Sequence, residues 1–149
     1  MPAEATPLAL AAELARRAGR AAPISTETLS GGKNNRVYRV ALADGQSLLL
    51  KSYFRDLRDP RDRRKAEWEF LTLAWSRGVR AIPEPIATDV EAGAALMSFV
   101  PGRKLAAGEI GAPEVEAALD FVVALNRPTP PVTALAPGSE ACFSLGEHL

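Results

Sequence analysis

Two periods run along this chain, and the switches between them divide it into elements. Leu10, Leu14 and Ala18 recur at helical spacing, with Glu13, Arg16, Arg17 and Arg20 mostly on other faces. This pattern predicts an amphipathic helix from about Pro7 to Arg20, closed by Pro23. The period then falls to two. Residues 24–29 alternate and are rich in β-branched side chains, residues 36–42 repeat the pattern, and so does the run 47–53. Asp44-Gly45 between the last two is a hairpin signal, because glycine supplies the positive φ of a tight turn. Between the first two runs lies Ser30-Gly31-Gly32-Lys33-Asn34-Asn35.

Helical spacing returns after a charged stretch. Asp59 is placed to cap a helix and Pro60 suits its first position, while Gly78 can end it in left-handed conformation. Within this segment Glu67, Leu71, Ala74 and Gly78 lie along one line, and Trp68, Leu71 and Trp75 form an overlapping apolar stripe. Pro83-Glu84-Pro85 leads into two further strands, near 85–90 and 94–99, about a turn at Glu91-Ala92-Gly93. Val100-Pro101-Gly102-Arg103 breaks the pattern. A helix is predicted from Pro113 to Leu125, ending at Asn126. Residues 127–138 are too rich in proline for regular structure, and Ser144 to Glu147 has capping-box spacing, as if another helix begins there.

Composition narrows the function classes. The 149 residues suit one domain or one lobe of a larger enzyme, and 47% apolar residues are enough for a core. Lys+Arg and Asp+Glu balance at 18 each, so no global field points to nucleic acid or an anionic membrane. A lone cysteine, Cys142, excludes an internal disulfide framework and a multi-thiolate metal site, and is read as a small hydrophobe. No stretch approaches the roughly 20 apolar residues of a spanning helix, and Glu4 and Glu13 do not fit a signal peptide. A cytoplasmic protein is expected. The sole histidine is His148, so histidine-based catalytic or metal chemistry has almost nothing to draw on.

Three places carry candidate chemistry, each with a plainer alternative. Lys51 sits in the apolar run Leu48 to Tyr53, where a buried ammonium needs a partner or an anion; it could instead reach solvent along its stem. Glu67 shares its helical line with Leu71 and Ala74 and so points coreward, although Arg63 or Arg64 could hold it at the surface. A strand lysine with a glutamate on the following helix is a known phosphate-binding device, in which the glutamate fixes the lysine. Gly31-Gly32, with Asn34 and Asn35, allows backbone N–H groups to approach phosphate, or is an ordinary hairpin turn. It is not a P-loop, since Asn34 follows Lys33 where Ser or Thr is required. The apolar run from Ala95 to the Pro101-Gly102 break is either a buried last strand or a hinge whose backbone pairs with adenine.

In their order and spacing, these pieces resemble the N-terminal lobe of the aminoglycoside phosphotransferase/choline kinase-like family. They are Ser30-Gly31-Gly32-x-Asn34-x-x-Val37-Tyr38, then Lys51, then Glu67 about eleven residues before Gly78-Val79, then Met97 to Gly102. The resemblance covers about residues 24–105. It implies Lys51 on the ATP phosphates with Glu67 as its partner, Ser98 and Val100 backbone at adenine, and Met97 just before the hinge. It also implies Mg²⁺, with ligands expected from a C-terminal lobe. The implied fold is α+β: a twisted five-stranded antiparallel sheet, the 60–77 helix packed on it, the N-terminal helix outside, and a partial helical extension after the hinge. The expected division is a helix over 1–22, an ATP-binding lobe over 23–100, and a hinge with the start of a second lobe over 101–149.

The family's catalytic loop and its metal-binding aspartate find no match in this sequence. Asp120-Phe121-Val122 mimics the metal-binding motif, but it lacks the glycine and lies in a helical pattern, so Phe121 and Leu125 are read as core. The expectation is a kinase lobe that positions ATP for transfer to a hydroxyl of an unidentified small molecule, in a chain truncated before its catalytic residues. Its exposed inter-lobe face would favour self-association. The alternatives are a non-catalytic nucleotide-binding or regulatory module, or a gene fragment. A nucleic-acid reading of Arg55 to Lys65 is disfavoured because Asp56, Asp59 and Asp62 interleave its cations, the mark of a solvated, salt-bridged face.

Overall fold

The computed structural model describes residues 5–30, 35–55 and 62–127, together with Leu135. Helix α1 spans Pro7–Arg17. Strands β1 (Pro23–Leu29), β2 (Arg36–Leu42) and β3 (Ser47–Ser52) follow, then helix α2 (Arg63–Ser76), strands β4 (Pro85–Asp89) and β5 (Ala94–Ser98), and helix α3 (Ala112–Leu125). The strands form one five-stranded sheet in the order β1-β2-β3-β5-β4, and every neighbouring pair is antiparallel. This is the α+β architecture expected from the sequence. The central position of β3 follows from its composition: Leu48 and Leu50 on one face and Leu49 on the other give it apolar surface for two layers.

The turns do what their residues allow. Gly45 takes φ +84° between β2 and β3, while Asp44 accepts a 3.0 Å hydrogen bond from Gln46 N–H. Gly78 takes φ +82° directly after α2, and Val79 N–H bonds back to the Ala74 carbonyl, as in a left-handed helix stop. Thr6 caps α1 by accepting from Ala9 N–H.

The sheet separates two apolar layers. On one face α1 buries Ala11, Leu14 and Ala15 against Val40, Leu42, Leu48, Leu50, Ala94 and Leu96. The N-terminal helix therefore does not lie outside the core, as expected; it completes half of it. Arg17 also pairs with Asp89 and Arg20 with Glu84, tying α1 to β4 and its approach, although pairs this exposed contribute little. On the other face α2 and α3 pack over Ala95 and Met97, with Tyr53, Leu71, Ala74, Val79 and Ile82 buried between.

The start of α2 differs from the sequence reading. The helix begins at Arg63, and Asp62 caps it by accepting from Lys65 N–H at 2.8 Å. Asp59 and Pro60 lie outside the described residues. Such a cap contributes about 1 kcal/mol. Arg64 is a second correction: expected on a solvated charged face, it is 7% exposed. It donates to Thr88 Oγ1 at 3.1 Å, and that hydroxyl donates onward to the Ala94 carbonyl at 2.9 Å. A buried cation thus anchors the first turn of α2 to β4.

Two features follow the sheet. A short 3₁₀ turn over Ala107–Glu109, not foreseen from the sequence, is held by Arg103, which donates to both Glu109 carboxylate oxygens at 2.6 and 2.7 Å. Helix α3 has no fully buried residue: Phe121, Ala124 and Leu125 are partly buried against the α2 layer, while Val115, Leu119, Val122 and Val123 face out.

Candidate functional site

Strand parity decides which side chains meet. Lys51 stands opposite Val37 on β2 and Ala95 on β5, and Leu49 stands opposite Met97. All of these point to the face that carries α2. Glu67 sits one turn into that helix, on the line that buries Leu71 and Ala74. The Lys51 ammonium donates to Glu67 Oε2 at 2.6 Å. The two side chains are 19% and 33% exposed, so the pair lies at the rim of the apolar layer. This is a charge-assisted bond in partly desolvated surroundings, stronger than a free surface pair and dependent on having both partners.

The surroundings of the pair are tyrosine and arginine. The Lys51 ammonium lies 5.0 Å from the centroid of the Tyr53 ring. Tyr53 is 8% exposed, and its hydroxyl is buried without a hydrogen-bond partner of acceptable geometry. Burial first, and the nearby Glu67 carboxylate second, hold that phenol well above its ordinary pKa, so it stays protonated. The sequence reading did not single out Tyr53 or Arg64. Tyr53 was legible only as Lys51 plus two, on the same face of one strand.

The other expected site residues are placed as follows. Met97 is 1% exposed and lies on the same face as Lys51, one strand over. Ser98 is engaged: its N–H donates to the Glu84 carbonyl at 2.9 Å, and its hydroxyl accepts from Glu84 N–H at 2.8 Å. Val100 is exposed. Phe99 between them lies under the Arg39 guanidinium, 4.8 Å from ring centroid to Cζ. Asn35 Oδ1 accepts from Phe54 N–H at 3.1 Å, which fastens the end of the glycine turn to the end of β3. Gly31, Gly32 and Asn34 lie outside the described residues.

A cavity of about 450 Å³ opens elsewhere, between the start of α1 and the ends of β2 and β3. Arg36, Tyr38 and Ser52 line it, and their parity puts it on the α1 face of the sheet, opposite Lys51. Among the described residues, none of the expected site residues borders it. The arrangement built around Lys51 is instead a shallow rim on the α2 face. Among the described residues no group of three His, Cys, Asp or Glu side chains converges.

A five-stranded antiparallel sheet with a helix glutamate bonded to a central-strand lysine defines the class: the N-terminal lobe of a kinase-like fold. The family follows from comparison with known proteins. Residues 25–128 match the model of the phosphotransferase enzyme family, and the chain belongs to it. Among solved structures it is similar to a protein assigned as a fructosamine-3-kinase, from Thermobifida fusca YX-ER1. That likeness has a TM-score of 0.50 and 21% identity over 68% of this chain, and it shows the fold. The chain spans 34% of the length of that relative. No curated protein matches it. No helix among the described residues is long and apolar enough to cross a membrane.

Proposed function

We infer that this chain is the nucleotide-positioning lobe of a kinase that transfers the γ-phosphoryl of ATP to a hydroxyl of a small molecule. The observation that carries this reading is the 2.6 Å bond between Lys51 and Glu67 on the face that also carries Met97. A lysine held by a helix carboxylate keeps a fixed direction while two of its three N–H donors remain for an anion. That is the requirement for binding the α- and β-phosphates of ATP. Glu67 sets the orientation of Lys51 and makes no phosphate contact itself.

The residues present fit a nucleotide in part. The Lys51 ammonium suits the phosphates. At the hinge the N–H of Ser98 is already committed to Glu84, so adenine pairing falls to the Ser98 carbonyl and the backbone of exposed Val100. Gly31, Gly32 and Asn34 are proposed, from sequence alone, to cover the phosphates with backbone N–H groups, and Asn35 to anchor that turn. Mg²⁺ would neutralise phosphate charge, and its ligands, with the general base, are assigned to a second lobe. That the chain covers only 34% of the matched structure supports that division. Titration of Mg·ATP and AMP against the chain tests the reading: affinity should depend on the phosphates and on Lys51. A cytoplasmic setting and the absence of a nucleic-acid partner remain the reading of the composition.

The outward face of α3 supports a second element of this proposal. Leu119 and Val122 stand one turn apart and are each more than half exposed, with Val115 and Val123 beside them. Contiguous apolar surface of this kind marks a site of association. The chain by itself is expected to self-associate through α3. Sedimentation should show mass rising with concentration, and a Leu119→Glu/Val122→Glu variant should stay monomeric. A wild-type chain that remains monomeric at high concentration contradicts this.

A further inference from the structure

Beside the linker that follows β5 stands a cation that the expected device does not include. Facing Cα positions set rows across the α2 face of the sheet. Val37, Lys51 and Ala95 form one row, and Arg39, Leu49 and Met97 the next. Ala41 and Ser47 begin a third, and Phe99, directly after the last paired residue Ser98, falls in line beside Ser47. The Arg39 guanidinium crosses from its own row to this third one. Its Nε and Nη2 each donate to Ser47 Oγ at 3.2 Å. Its Cζ lies 4.8 Å from the Phe99 centroid, within reach of a cation–π contact. Glu27 stands directly across from Arg39 on β1, where opposite charges on facing strands attract. The guanidinium instead turns over β3 toward the linker.

The neighbours of Phe99 show what this contact fixes. Ser98 is held from the β4 side: its N–H donates to the Glu84 carbonyl, and its hydroxyl accepts from Glu84 N–H. Phe99 is held from the β2 side by Arg39. Beyond it the chain has no regular structure until the turn at Ala107. Arg39 therefore grips the linker between the two places left for adenine, the Ser98 carbonyl and the backbone of Val100.

We propose that Arg39 is the positioning residue of the hinge: steered by Ser47 and set over Phe99, it holds the backbone of residues 98–100 in place for the edge of a purine base. The part concerning the base rests on the nucleotide reading above; the grip on the linker does not. Arg39 acts through Phe99 and is assigned no contact with phosphate or acceptor. Its effect on a ligand is bounded by the strength of the grip, because a linker that is competent for a smaller fraction of the time binds proportionately more weakly.

The test reads the two parts separately. In ¹⁵N relaxation of the chain without ligand, Arg39→Ala is expected to lower the backbone order parameters of Phe99 and Val100 from about 0.85, the rigid value, toward about 0.6. Ser98, bonded to Glu84, should keep its value. Phe99→Leu should give the same loss, and Arg39→Ala should add nothing to it, as a double-mutant cycle requires of a residue acting through Phe99. The melting temperature should stay within about 2 °C, because Arg39 is exposed. In titrations, Arg39→Ala should weaken Mg·ATP and AMP by the same factor of about two to five, the scale of an exposed cation–π contact. Unchanged order at Phe99 and Val100, or a loss of order shared by the whole sheet, overturns the proposal. So does undiminished binding of both nucleotides, or a larger loss for Mg·ATP than for AMP, which would put the guanidinium on the phosphates. If the order parameters respond as expected while the wild-type chain binds neither nucleotide, the nucleotide reading fails and the grip of Arg39 on the linker stands.

Discussion

Replacing Lys51 by alanine is expected to weaken ATP binding by about 10- to 100-fold, the span of one to two charge-assisted hydrogen bonds, and to weaken AMP by much less. The difference arises because AMP lacks the β- and γ-phosphates and depends mainly on the hinge. The same substitution strands Glu67, which is one-third exposed and can recover water, so the fold should survive. Isothermal titration of both nucleotides against both proteins reads the effect. Equal losses for ATP and AMP would mean that Lys51 holds the lobe together and binds no phosphate. Lys51→Arg is not a neutral control, because a guanidinium is planar and longer-reaching than an ammonium.

Leu50→Ala is expected to have the largest effect on stability. Leu50 is 0% exposed on the central strand, with Tyr38 and Leu96 beside it on the neighbouring strands and α1 packed above. A buried leucine truncated where neighbours on every side are fixed costs about 3–4 kcal/mol in lost transfer energy and residual cavity. That is a large share of the 5–15 kcal/mol typical of a domain, and corresponds to a fall in melting temperature of roughly 6–16 °C for this size. Ile24→Ala, at a side chain 63% exposed, should change stability by less than about 0.5 kcal/mol. Similar melting temperatures for the two variants would contradict the placement of the α1-side core.

The legible parts of this fold were those fixed by local chemistry. Two-residue alternation marked each strand, Asp44-Gly45 marked the hairpin, and Gly78, with φ +82°, marked the end of α2. Glu67 and Lys51 could be paired in advance because each is a charge on an otherwise apolar line. What the sequence concealed depends on tertiary placement. Asp59-Pro60 and Asp62 are both acceptable helix starts; the helix begins after Asp62, where Arg64 reaches Thr88 on β4. The burial of Arg64 could not be read from a run of interleaved charges, because that pattern carries no information about what α2 covers. The loss of the Ser98 N–H to Glu84 was equally hidden, since the two are 14 residues apart. Alanine-rich α1 looked peripheral because Ala11 and Ala15 are small. Small residues are what allow that helix to approach the sheet closely, and both are 0% exposed.

The most direct test of a nucleotide site on the α2 face is a map of where Mg·ATP perturbs the chain in ¹⁵N-resolved NMR. Two surfaces compete: the rim around Lys51, and the cavity on the opposite face lined by Arg36, Tyr38 and Ser52. Because alternate residues of β2 and β3 report on opposite faces, side-chain signals on one strand distinguish them. The account predicts that the Lys51 ammonium and the Met97 methyl shift on titration, together with the backbone of residues 98–100, while Tyr38 ring signals stay in place. Shifts confined to Tyr38 and Arg36, with Lys51 and Met97 unmoved, would place the ligand on the α1 face and contradict the assignment of Lys51 to the phosphates.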